Sequence, residues 1–132
     1  MTNSKDKPII EDEETERFFK ELDNLTAPKD RLTREEVERF YKLAVEWIRG
    51  TASCSSTIEM AKHPAYLKIE SMGTRVVPLL LRELELRPAF WFAALRHLTG
   101  ADPVKPEQRG NLKQMADAWL EWGKDQGINF PK

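Results

Sequence analysis

Residues 72–100 read MGTRVVPLLLRELELRPAFWFAALRHLTG. Helical spacing puts Val76, Val77, Leu80, Leu81 and Leu84 on one face. Leu79 and Leu86 form a second stripe, so the helix is expected to meet neighbours on two flanks. Thr74 can cap it. Pro78 falls in the first turn, where a backbone N–H has no intrahelical partner and its loss costs little. After Arg87, Pro88 suits the first position of a new helix. That helix would turn Phe90, Trp91, Ala94, Leu95 and Leu98 inward, with Gly100 as its stop. The stretch therefore predicts an antiparallel helical hairpin over residues 74–99.

Working outward, the same punctuation recurs. EDEETERFFKELDNL places Phe18, Phe19, Leu22 and Leu25 at helical spacing, with acids clustered where they favour a helix N-terminus. Pro28 breaks the pattern. Thr33 followed by Glu36 is a capping box. Behind it Val37, Phe40, Tyr41, Ala44, Trp47 and Ile48 share a face that Leu43 and Val45 widen to about half the circumference. Gly50 is expected to stop this helix. STIEMAK allows a short turn, and HPAYLKIESMG opens on Pro64 and closes on Gly73. Asn111 is a suitable cap for a last helix carrying Leu112, Met115, Ala116, Trp119, Leu120 and Trp122. No segment alternates as a strand would. The fold class expected is all-α, a compact helical bundle of five or six helices built around the 74–99 hairpin. Residues 1–10 are expected to be a disordered tail, and residues 11–132 a single all-helical domain.

Residues 73–100 resemble a HEAT-like repeat: a glycine, a helix with VVPLLLREL, a short break, then PAFWFAALRHLTG. The resemblance implies that Pro78 opens the first helix, Leu80 and Leu84 fill the seam, Ala94 allows close approach and Gly100 turns the chain. AWLEWGKDQG looks like the Trp-rich helix that sometimes caps small HEAT-like proteins. Residues 63–123 look more broadly like small bacterial proteins of uncharacterised function. One repeat cannot bury both of its faces, so a bundle is expected rather than a solenoid.

Composition narrows the class of job. The chain has 132 residues and a formal net charge of −1, unevenly spread. Residues 1–36 carry 11 acids and 7 bases, whereas residues 37–110 carry 8 acids and 11 bases. A mild excess of this kind can steer a partner but falls short of the strongly basic face that nucleic acid requires. The longest apolar run, residues 89–95, is too short to span a membrane. The first ten residues lack a hydrophobic signal core, so secretion is not expected. The single cysteine, Cys54, rules out an internal disulfide and suits a reducing cytoplasm.

Candidate chemistry is sparse. Cys54 sits in TASCSST without the flanking residues of a cysteine enzyme. Glu59 and His63 stand four apart, but Pro64 pushes His63 out of helical geometry, which makes it a cap for the next helix. With His97 the only other imidazole, no metal site is expected. Glu11 to Glu14 lack the spacing and the internal glycine of a calcium loop. The glycines form no phosphate cradle, and no cofactor is expected. Of the aromatic residues Trp91, Trp119, Trp122, Phe90 and Phe92, only Phe92 falls outside the expected inner arc, beside Arg96. Either residues 101–110 cover it, or it is an exposed aromatic next to a guanidinium, a pairing that suits protein recognition.

The expected function is a non-enzymatic protein-interaction module, a small regulatory or antitoxin-like partner of another protein. Arg87, Phe92 and Arg96 are its candidate protein-binding residues; none is catalytic and none binds metal. A second reading has Arg75, Arg82, Arg87, Arg96 and Arg109 converge on nucleic acid. A third is an enzyme whose groove spacing alone cannot assemble. No membrane partner is expected.

Overall fold

The computed structural model describes residues 13–131. The expected tail, residues 1–10, lies outside them, as do Glu11 and Asp12 of the acidic run. Seven helices follow in chain order: α1 (Glu13–Leu25), α2 (Arg34–Gly50), α3 (Thr57–Met60), α4 (Pro64–Ser71), α5 (Val77–Leu86), α6 (Phe92–Thr99) and α7 (Leu112–Asp125). There is no strand among the described residues, and the fold is all-α. No helix among them is long and apolar enough to cross a membrane.

Local chemistry sets most boundaries. At the start of α2 the Thr33 hydroxyl accepts from the Glu36 amide at 3.1 Å, and the Glu36 carboxylate accepts from the Thr33 amide at 2.8 Å. This is the reciprocal box expected from spacing. Asn111 caps α7 by accepting from the Gln114 amide at 3.0 Å. His63 caps α4, its Nδ1 accepting from the Ala65 amide at 3.1 Å. Gly100 follows α6 with a φ of 74°, a left-handed conformation that favours glycine.

Two boundaries differ from expectation. Thr74 makes no side-chain cap; Gly73, at φ 86°, leads into a 3-10 turn over Thr74–Val76 from which α5 starts with Pro78 in its first turn. Pro88 opens no helix, because residues 87–91 form a link in which the Trp91 amide donates to the Ala89 carbonyl at 2.8 Å. The first turn of α6 is instead satisfied from another helix. The Tyr66 hydroxyl of α4 accepts from the Ala94 amide at 2.9 Å and donates to the Phe90 carbonyl at 3.1 Å.

Packing follows the apolar faces. α2 lies against α4, α4 against α6, and α5 against both α6 and α7. The 74–99 hairpin forms as a pair in contact, but α5 meets α7 more extensively than it meets α6. Leu79, Leu80 and Leu81 are all fully buried, so the α5 face is wider than one stripe. α7 comes close because it carries Gly123 in its last turn, where an added Cβ would sit 2.7 Å from Leu81 Cδ1. At the centre stand Trp47, Tyr66 and Trp91, with Tyr66 and Trp91 stacked at 5.7 Å and 8°. The Trp47 indole N–H is satisfied by the Met60 carbonyl at 2.8 Å. The arc of α2 is narrower than expected: Val37, Phe40, Leu43, Ala44 and Trp47 are buried, while Val45 and Ile48 remain about half exposed.

Candidate protein-interaction surface

The three residues nominated from sequence do not form one patch. Arg87 follows the last turn of α5 and donates from Nε and Nη2 to the Glu83 carboxylate at 3.1 and 2.7 Å. Glu83 is the one buried charged residue among those described, at 4 % exposure. A carboxylate taken out of water requires a countercharge, and Arg87 supplies it, with Arg82 at 3.7 Å. That contact raises the Arg87 pKa further. Its guanidinium is thus engaged by the fold.

Phe92 is 3 % exposed, so the exposed arrangement entertained for it does not occur. The reason is where the buried arc falls. Phe90 and Trp91 precede α6, and the buried face of the helix itself runs over Phe92, Ala94 and Leu95, with Phe92 three residues before Leu95 on one flank. The Phe90 ring meets it edge-on at 6.0 Å, and Val104 of the 101–110 loop is buried in the same core. Arg87 and Arg96 are both exposed, but of the three only Arg96 is an exposed side chain with no hydrogen-bond or ion-pair partner among the described residues.

The five arginines proposed for nucleic acid are also mostly engaged internally. Arg75 pairs with Glu36, Arg87 with Glu83 and Arg109 with Asp102, while Arg82 bonds to Tyr41 and to the Pro131 carbonyl. Cys54 is half-buried, and its thiol lies 3.5 Å from the Ser56 carbonyl. The His63 ring packs on Gly50, where a Cβ would lie 2.4 Å from Nε2. No group of three side chains able to hold a metal ion occurs among the described residues.

What the packing does build is a groove between α2 and α4. It encloses about 490 Å³ and is lined by Glu36, Arg39 and Leu43 of α2, Lys68 and Ser71 of α4, and the following Met72 and Arg75. Leu43, at 8 % exposure, and half-buried Met72 make its apolar floor. On one rim Arg75 donates to both Glu36 oxygens, at 3.3 and 2.6 Å, and to the Arg31 carbonyl at 3.0 Å. Glu36 is held below the ordinary carboxylate range, first by the Thr33 amide and then by Arg75. Its charge is therefore already answered. Ser71 is likewise occupied, its hydroxyl donating to the Lys68 carbonyl at 2.6 Å. Arg39 and Lys68 differ: neither has a hydrogen-bond or ion-pair partner among the described residues, and both line the groove.

Sequence reasoning missed this site. Arg39 and Lys68 lie on the polar sides of separate helices, and no local pattern links them. Only the docking of α4 on α2 brings them to one depression. A second cavity, of about 510 Å³, lies between the end of α1, the start of α5 and the C-terminal tail, with Leu25, Val77, Pro78 and Ile128 among its lining. It gathers no comparable pair of uncommitted charges, since its Arg75 is the one held by Glu36. No protein-family model, curated protein or solved structure matches the chain.

Proposed function

We propose that this chain is a non-enzymatic module that binds another protein through the α2–α4 groove. The observation that supports the reading is the pairing of two uncommitted cations, Arg39 and Lys68, over an apolar floor of Leu43 and Met72. An apolar centre with a polar rim is the anatomy of a recognition surface. The groups that would first be suspected of chemistry have structural duties instead. His63 caps α4, Tyr66 caps α6, and Glu83 is paired with Arg87.

The test reverses the groove's charge. Wild type and an Arg39→Glu/Lys68→Glu variant, each tagged at either end, are used to capture partners from native lysate. Both are expected to show the same helical circular dichroism and Tm, because the two side chains make no hydrogen bond or ion pair to a described residue. The wild type is expected to retain a stoichiometric partner that the variant loses. Recovery of none in either tag orientation, or retention indifferent to the two substitutions, would overturn the proposal.

A further inference from the structure

We infer that the partner presents an acidic amphipathic segment to this groove: spaced carboxylates that meet Arg39 and Lys68, flanking an aliphatic side chain that covers Leu43 and Met72. The inference rests on the protein-binding reading and adds the chemistry of what is bound. The electrostatics select it. Three cations, Arg39, Lys68 and Arg75, and one carboxylate, Glu36, line the depression, so its lining carries a net positive charge. Arg75 and Glu36 cancel each other. The surplus therefore belongs to Arg39 and Lys68, one on each wall.

A compact dianion such as phosphate is a poorer fit. α4 ends at Ser71, so the carbonyl end of that helix faces the region. It opposes charge concentrated at one point. Carboxylates spread along a peptide meet the two cations separately and leave the middle of the groove to an apolar group. Burial of that group over Leu43 and Met72 supplies an attraction that salt does not screen. The charges supply selectivity and a faster, salt-dependent encounter.

The probe is a fluorescein-labelled helical peptide with glutamate and leucine on one face, compared with an isomer in which every glutamate is glutamine. Binding is read by anisotropy at low and at high salt. The acidic peptide is expected to bind the wild type about tenfold or more tightly than the glutamine isomer, the equivalent of about 1.4 kcal/mol. Arg39→Glu and Lys68→Glu should each weaken it by a similar factor. Arg49→Glu and Lys124→Glu, the same charge change outside the groove, should not. Equal binding of the glutamine isomer, equal loss in the control variants, or tighter binding of single-stranded DNA than of the acidic peptide would overturn the inference. If a lysate partner is lost on groove reversal while the acidic peptide fails to bind, the partner's chemistry is wrong and the protein-binding reading stands.

Discussion

The guanidinium carbon of Arg82 lies 4.6 Å from the centroid of the Phe18 ring. The same group donates from Nε to the Pro131 carbonyl at 2.9 Å and from Nη1 to the Tyr41 hydroxyl at 2.8 Å. One largely buried side chain on α5 therefore fastens both the first helix and the C-terminal tail. Arg82→Ala is expected to cost on the order of 3 kcal/mol, from charged hydrogen bonds and the cation–π contact together. Phe18→Leu keeps most of the apolar contact and should cost about 1 kcal/mol. Urea unfolding of the single and double variants checks this. The double variant should lose less than the sum; additivity within about 0.5 kcal/mol would show that the two residues do not couple.

Arg87 was a docking candidate from sequence and is a countercharge in the structure. Arg87→Ala leaves the Glu83 carboxylate with Arg82, at 3.7 Å, as its remaining ion pair among the described residues. We predict a loss of about 1–3 kcal/mol, the usual cost of orphaning a buried polar group. Adding Glu83→Gln should recover part of it. Arg96→Ala, at an exposed position without a hydrogen-bond or ion-pair partner among the described residues, should stay within about 0.5 kcal/mol of wild type. Equal effects of Arg87→Ala and Arg96→Ala would refute the assignment.

Tyr66 acts on α6 from another helix. Tyr66→Phe preserves a ring to stack on Trp91 but removes the hydroxyl that accepts from Ala94 and donates to the Phe90 carbonyl. The expected loss is about 1–3 kcal/mol, with amide exchange at Ala94 accelerated more than at Met115 in α7. Unchanged exchange at Ala94 would mean that the hydroxyl does not cap α6.

Alkali should attack the same region. The chain has two tyrosines. Burial raises the Tyr41 pKa to about 12, against the opposing pull of Arg82. Burial also raises Tyr66, further still. In the unfolded chain both phenols ionise near 10. Between pH 10 and 12 the folded state therefore keeps protons that the unfolded state has lost, and stability falls as pH rises. Below that window these two groups contribute no slope. Phenolate absorbance and loss of helical circular dichroism should appear in one transition above pH 10. Full phenolate absorbance from a still-helical protein would contradict the burial of both rings.

What could be read from sequence was local. The Thr33–Glu36 box, the Asn111 and His63 caps and the Gly100 stop depend on residues within a few positions of each other, and each stands where spacing put it. What was misread depended on a neighbour. Pro88 fits a helix start on propensity alone, but Tyr66 satisfies the α6 first turn from 28 residues away and lets the helix begin at Phe92. Phe92 was set outside the arc because Phe90 and Trp91 were counted into it; with both in the link, the buried face of α6 runs over Phe92, Ala94 and Leu95. Val45 and Ile48 were counted inward because they are apolar, yet they stand beyond the buried arc of α2. The groove was invisible for the same reason, since Arg39 and Lys68 are brought together only by tertiary packing.

The indoles of Trp47 and Trp91 lie 4.3 Å apart, tilted by 39°. At that separation their electronic transitions mix, so the pair absorbs polarised light as one chiral chromophore. One indole belongs to α2 and the other to the link before α6. The interior thus carries a built-in optical ruler between two distant parts of the chain, readable without any label and extinguished as soon as they part.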